Sequence, residues 1–146
     1  MKVVIGGSFR FYDEMKELRR ELEEAGIECS IPIPFTSFED REKIEEFKQA
    51  VRSGEIKLNR KDYEEIGKVE SLFFNWIDEC DVFLVCNGNG YIGVNTAIDI
   101  GYALGRKKEV ILLYPPEDAG IQGLVEVKLL KVISKDKIVE YLKGKA

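Results

Sequence analysis

The chain has 146 residues, of which 45% are hydrophobic and 34% charged, a balance that predicts one soluble globular domain with its own core. Its formal net charge of -5 argues against a nucleic-acid groove, which needs a basic excess on at least one element. Histidine is absent, which excludes Ser-His-Asp and Cys-His nucleophiles and histidine-based metal sites. Any chemistry must therefore use carboxylates, hydroxyls or backbone groups.

Strand and helix patterns alternate along the chain. Their predicted order is a strand over residues 2–5, a helix over 13–25, a strand over 27–33, helices over 39–52 and 60–79, a strand over 81–86, a helix over 95–104, strands over 109–114 and around 129–133, and a helix from Lys135. A loop containing Pro115 and Pro116 joins the last two strands. Residues 39–61 are predicted to form a helical insertion, which is most simply an exposed helix and otherwise a lid or a subunit contact.

This alternation predicts an α/β fold, a doubly wound, flavodoxin- or Rossmann-like parallel sheet in a single domain. With right-handed crossovers, five strands most plausibly take the order 2-1-3-4-5. The first and third strands are then neighbours, and the loops that follow them face each other. Topology therefore predicts that Ser8 and Arg10, after the first strand, converge on one cleft with Asp99, after the third.

Targeting signals and cysteine pairs are not evident in the sequence. No stretch approaches the roughly 20 apolar residues of a membrane span, and the opening residues are too short for a signal peptide, so we expect a cytoplasmic protein with no membrane partner. The cysteines Cys29, Cys80 and Cys86 lack CxxC spacing and are expected to be reduced and partly buried. Abundant Lys and Glu with only two glutamines favours a heat-adapted source.

The stretch DVFLVCNGNGYIGVNTAIDIGYALG carries the clearest signal, because an apolar strand leads through a glycine-rich turn directly into a helix. The sequence IDIGYALG followed by EVILLY resembles the end of the nucleoside 2-deoxyribosyltransferase family, which includes the 2'-deoxynucleoside 5'-phosphate N-hydrolases. The opening VVIGGSFRFYDEMKELRREL and the segment WIDECDVFLV resemble the same family. The likeness covers most of the chain except residues 35–61.

The resemblance implies an enzyme that cleaves or transfers at the N-glycosidic bond of a deoxynucleoside or deoxynucleoside 5'-monophosphate. Asp99 would be the carboxylate that attacks the sugar, without a metal or an organic cofactor. A homodimer or higher homo-oligomer is also implied by the resemblance alone. Substrate would be held by the two facing loops, whose candidate residues are Gly7, Ser8, Phe9, Arg10, Tyr91, Gly93 and Asn95.

The residues of these two loops could contact different parts of a nucleotide. The backbone after Gly6 and Gly7, with the hydroxyl of Ser8, could cradle a phosphate, and Arg10 could add a bidentate clamp. Tyr91 lies in the glycine-rich loop, where its ring could cover a base or a sugar. Tyr102 is expected to pack, and Phe11, Phe35 and Phe38 are either walls for a nucleobase or ordinary core residues.

Two departures from the family pattern stand out. The family nucleophile is a glutamate, whereas Asp99 is one methylene shorter. The family also carries an acid about one turn ahead of the Trp, where this chain has Phe73, and Glu70 and Asp78 are only approximate substitutes. No general acid or base is therefore placed by the sequence.

Plainer interpretations remain open for every candidate. Asp99 would cap its helix in the segment Thr96-Ala97-Ile98-Asp99, and Asn95 would be an N-cap. Arg10 would be a solvated surface arginine, and Tyr91 a packing residue. The whole chain could then be a nucleotide-binding or sensing protein that has lost catalysis, or an assembly subunit without a small ligand.

Overall fold

The computed structural model describes residues 1–32 and 41–145, and the side chains of all of these except residues 41–45. Its strands are β1 (Lys2–Gly7), β2 (Glu28–Ser30), β3 (Val82–Cys86), β4 (Glu109–Leu112) and β5 (Lys131–Val132). Its helices are α1 (Tyr12–Glu24), α2 (Arg41–Arg52), α3 (Arg60–Glu79), α4 (Val94–Gly105), α5 (Ala119–Glu126) and α6 (Lys135–Lys145). Short 3-10 helices, Phe9–Phe11 and Gly88–Gly90, follow β1 and β3.

The strands form one parallel sheet in the order β2-β1-β3-β4-β5, which confirms the predicted topology. In the central pair, Val3 lies beside Val82 and Gly7 lies beside Cys86. Because parallel strands end at the same edge of a sheet, the loops that leave Gly7 and Cys86 begin side by side. This register is what positions the candidate site.

Side chains on successive strand positions point to opposite faces, so each face of the sheet has its own hydrophobic layer. Ile5 packs with Leu18 of α1 and Leu142 of α6 on one face. Val4 packs with Phe73 of α3 and Ile100 of α4 on the other. Both faces are covered by helices, which explains why the central strands are continuously apolar rather than alternating.

Helix α5 was not predicted from the sequence, which indicated only a loop between β4 and β5. The helix begins after Asp118, whose carboxylate accepts a hydrogen bond from the backbone N–H of Ile121 at 3.0 Å. Ile121 and Leu124 then pack against the core layer that contains Val4. The helical pattern is concealed in the sequence by Pro115 and Pro116, which precede the helix, and by two glycines inside it. Tertiary packing outweighs the low helix propensity of these residues.

The predicted element ends differ from the observed ones by a few residues. Strand β1 continues to Gly7 instead of ending at Ile5, and β4 ends at Leu112 instead of Tyr114. The backbone N–H of Tyr114 donates a hydrogen bond to the side-chain Oδ1 of Asn87 instead, at 3.0 Å. Strand β2 ends at Ser30 and not at residue 33, and the predicted start of α2 at residue 39 lies outside the described residues.

The cysteines are free and buried, as predicted. Burial is the main cause that raises the pKa of the Cys29 and Cys86 thiols to about 12 and that of Cys80 to about 11. Thiols with such pKa values are poor nucleophiles at neutral pH, because the thiolate is the reactive form. The cysteines are therefore core residues in this fold.

Candidate active site

A cavity of about 370 Å³ opens where β1 and β3 end, and helices α2, α3 and α4 supply most of its wall. Its volume lies in the range of small-molecule sites, about 300–1,000 Å³. Most of the predicted site residues line it, namely Gly7, Ser8, Phe9, Tyr91, Gly93, Asn95 and Asp99. The two loops that the topology predicts to face each other therefore share one cavity.

The turn after β1 depends on Gly7. Its φ of 143° lies in a region that L side chains rarely adopt, and a Cβ there would stand 2.4 Å from the carbonyl oxygen of Cys86. Only glycine allows β1 to run this close to β3 and still turn into the cavity. Ser8 then begins the 3-10 helix Phe9–Phe11, and its hydroxyl accepts a hydrogen bond from the backbone N–H of Arg10 at 3.4 Å.

Asp99 lies in the second turn of α4 and lines the cavity, although its residue is only 5% exposed. The helix begins at Val94 and its N-cap is Gly93, with no side-chain capping bond. The interpretations of Asp99 as part of a capping box and of Asn95 as an N-cap are therefore wrong. A buried acid in the middle of a helix lacks the backbone N–H partners that make a cap favourable.

Glu70 of α3 lines the same cavity and interacts with Asp99. Burial raises the pKa of the Asp99 carboxyl far above its ordinary value, and the hydrogen bond to Glu70 and the negative charge of Glu70 raise it further. Oδ1 of Asp99 and Oε1 of Glu70 are both buried without a hydrogen-bond partner among the described residues. Ionised carboxylates only accept hydrogen bonds, so the two side chains can bond to each other only when one is protonated.

The Asp99 carboxyl, buried beside Glu70, therefore keeps its proton to a higher pH than an ordinary aspartic acid. Sequence reasoning ranked Glu70 only as an approximate substitute for the family acid. A sharper signal was present, because Glu70 lies four residues after Ile66, three before Phe73 and seven before Ile77 in the apolar stripe of α3. An acid on the buried face of a helix calls for a functional or structural explanation.

Arg10 departs from the predicted arrangement, because it does not belong to the cavity lining. Its guanidinium carbon lies 3.8 Å from the ring centre of Tyr91, a cation–π contact with a residue that lines the cavity. Phe11 meets the same ring edge-on, with 6.3 Å between ring centres. Both residues position Tyr91, and Phe35 and Phe38 lie outside the described residues.

Asp78, the other approximate substitute for the family acid, belongs to a separate cluster. The Tyr102 hydroxyl donates to its carboxylate at 2.8 Å, and Nε of Arg106 donates at 2.7 Å. The ring of Tyr102 also stacks on Phe74, with 4.3 Å between ring centres. Tyr102 packs as predicted, and the hydrogen bonds to Asp78 connect α3 with α4.

The described part of the chain shows neither a metal-binding cluster nor a membrane-spanning helix. Residues 1–32 and 41–145 contain no group of three or more acidic or cysteine side chains that could hold a metal ion. In the same residues, no helix is both long and apolar enough to cross a membrane.

Comparison with known proteins gives matches in structure but not in sequence. No protein-family model matches the chain, and no curated protein sequence matches it. A CMP N-glycosidase of Clostridium botulinum, BcmB, superposes with a TM-score of 0.56 at 20% identity, over 100% of both chains. A conserved protein from Enterococcus faecalis V583 gives a TM-score of 0.55 at 15% identity, over 100% of this chain and 99% of the other. The chain thus shares its fold, a doubly wound α/β sheet, with these two proteins.

Proposed function

We propose that this protein cleaves the N-glycosidic bond of a deoxynucleoside or deoxynucleoside 5'-monophosphate, with Asp99 as the nucleophile. The observation that carries the proposal is the carboxyl pair of Glu70 and Asp99, buried in a cavity of suitable volume at the carboxyl edge of a parallel sheet. The fold shared with a CMP N-glycosidase supports the same reaction class.

One proton shared by two carboxyl groups is what a two-step displacement requires. The step requires the proton to pass first from Asp99 to Glu70. The ionised Asp99 then attacks the anomeric carbon while Glu70 protonates the leaving base, and the carbon–nitrogen bond breaks as the ester to Asp99 forms. Glu70 is then ionised and takes a proton from a water molecule, which attacks the anomeric carbon and frees Asp99. An acceptor base in place of water would give transfer instead of hydrolysis.

The rest of the cavity suits a sugar and a base. Tyr91 supplies an aromatic ring that contacts Arg10 and Phe11, and Asn95 adds an amide one helical turn before Asp99. Gly7 and Ser8 bring backbone and hydroxyl groups to the same space. The homodimer or higher homo-oligomer implied by the family resemblance stays a prediction, which a molar mass from light scattering would test.

A second candidate is a nucleotide-binding protein without turnover. The observation that favours it is the raised pKa of Asp99, because a protonated carboxylic acid is not a nucleophile. In that case the cavity would bind a nucleotide and stabilise the fold without releasing a base.

Both candidates are tested by incubating the protein with deoxynucleosides and their 5'-monophosphates and separating free base by chromatography. We expect base release from the wild type, a loss of at least about a thousandfold in Asp99→Asn, and a normal rate in the control Asp78→Asn. Mass spectrometry after acid quenching should find a deoxyribosyl adduct on the peptide that contains Asp99.

The possible outcomes separate the two candidates. Base release that persists in Asp99→Asn would contradict the assignment of the nucleophile. Absence of release, together with a nucleotide-dependent rise in melting temperature, would favour the binding protein. Asparagine is the better replacement than alanine, because it keeps the volume of the buried side chain and leaves no cavity.

A further inference from the structure

The cavity is lined by charged side chains of both signs. In the part of the chain that the structure describes, they are the acids Glu70 and Asp99 and the bases Lys48 and Arg52, which both come from α2. The two bases lie four residues apart and so share one face of that helix. Among the described residues, two cationic side chains thus line this cavity, in a chain whose net charge is -5.

The position of Lys48 connects these bases to the turn after β1. Its Nζ lies 5.7 Å from the ring centre of Phe9, the residue that follows Ser8, and α2 packs against the 3-10 helix Phe9–Phe11. Lys48 is half-buried, whereas Arg52 is exposed. Lys48 thus lies next to the turn that contains Gly7 and Ser8, and Arg52 lines the same cavity, whose acids come from α3 and α4.

The residues best placed to bind an anionic group of the substrate differ from those that the sequence indicates. Sequence reasoning gave that role to Arg10, but the guanidinium of Arg10 lies on Tyr91 and outside the cavity lining. A phosphate monoester carries nearly two negative charges at neutral pH and accepts hydrogen bonds from ammonium, guanidinium and hydroxyl donors. Lys48, Arg52 and Ser8 supply all three kinds of donor.

We propose that Lys48 and Arg52 bind the phosphate of a nucleoside 5'-monophosphate and make the site prefer nucleotides to nucleosides. The identity of the sugar and base rests on the proposed function, whereas the binding of a phosphate monoester does not. The two bases select the substrate and take no part in bond cleavage. They lie on α2, within the segment for which the sequence predicts a helical insertion.

The test measures dissociation constants by calorimetry in an Asp99→Asn background, so that no ligand is consumed. The ligands are a deoxynucleoside 5'-monophosphate, the matching deoxynucleoside and inorganic phosphate. We expect Lys48→Gln to weaken nucleotide binding about tenfold and Arg52→Gln to weaken it a few fold, because Arg52 is exposed and its charge is screened. Nucleoside binding should not change.

The matched control is Lys57→Gln, which removes the same charge from an exposed residue close to α2 that does not line the cavity. It should leave all three dissociation constants unchanged. Equal weakening of nucleotide and nucleoside by Lys48→Gln would overturn the proposal, since Lys48 would then only support the shape of the cavity. Unchanged nucleotide binding would also overturn it, as would phosphate binding without any nucleotide binding.

Failure of this proposal can be told apart from failure of the proposed function. If the wild type releases base and Lys48→Gln binds nucleotides normally, the enzyme assignment stands and the phosphate assignment falls. If no substrate releases base but Lys48→Gln selectively weakens nucleotide binding, the phosphate assignment stands and the enzyme assignment falls.

Discussion

Two carboxylates link α3 to α4 at different points along these helices, and their surroundings are opposite. Asp78, near the end of α3, accepts hydrogen bonds from Tyr102 and Arg106 of the α4 region, and Lys108 donates to its backbone carbonyl at 2.9 Å. Asp99, on α4, faces another acid, Glu70. The first link uses complementary groups and the second uses two groups of the same sign.

The contrast separates stability from chemistry on one pair of helices. A carboxylate with satisfied acceptor atoms and a cation beside it favours the folded state. A buried pair of acids costs folding free energy, because a proton must be held where water cannot solvate the remaining charge. Strain of this kind is concentrated at functional sites, where it supplies an acid and a base together. The following predictions test that division.

The largest expected effect concerns Glu70→Gln. Glutamine keeps a hydrogen bond to Asp99 but has no proton to give to the leaving base, so the rate of base release should fall about 10²–10⁴-fold. The substitution also removes the negative charge that raises the pKa of Asp99. The pH–rate profile should therefore shift to lower pH. The control Glu65→Gln, on an exposed face of α3, should behave as the wild type, and an undiminished rate in Glu70→Gln would remove Glu70 from the mechanism.

The next effect is a pH dependence of stability that originates at Asp99. Its pKa is raised in the folded state, so above about pH 4 the unfolded chain loses this proton first and the folded state retains it. The stabilisation is fully present below the unfolded pKa and is lost as pH rises towards the folded pKa, by up to about 1.4 kcal/mol per pH unit. Asp99→Asn should remove that slope.

Urea unfolding of both proteins at pH 5, 6, 7 and 8 would measure this difference. The chain contains no histidine, so no side chain with an ordinary pKa between 5 and 8 obscures the comparison. The free energy of unfolding should converge at low pH, with the variant more stable at pH 8. Parallel curves for the two proteins would show that Asp99 is ionised in the folded state.

The smallest expected effect concerns Asp78→Asn. The substitution removes the ion pair with Arg106 and weakens the bond from Tyr102, which should cost about 1 kcal/mol of the free energy of unfolding, because the Asp78 side chain is 30% exposed and its charge is partly screened. Base release should stay within about twofold of the wild type. A large loss of activity without a loss of stability would show that this cluster shapes the active site.

The local sequence pattern predicted most of the fold but only part of the candidate site. The period of apolar residues predicted the strands and most helices, and topology rules then predicted that Ser8 and Asp99 share a cavity. Helix α5 was missed because its prolines and glycines resemble a loop, although Asp118 is a recognisable cap. The neighbours of Arg10 and Glu70 could not be predicted, because each contacts a residue far away in sequence.

The sequence by itself determined the class of fold and the loops that form the cavity, because hydrophobic period, glycine turns and crossover handedness are local or nearly local properties. Only the tertiary structure decided how the charges are paired. It brought Glu70 to Asp99, placed Arg10 on Tyr91 and turned Lys48 towards the cavity. The reason is physical: a pKa or a binding charge depends on burial and on partners within a few ångströms. Those partners come from different helices, and their meeting is fixed by packing.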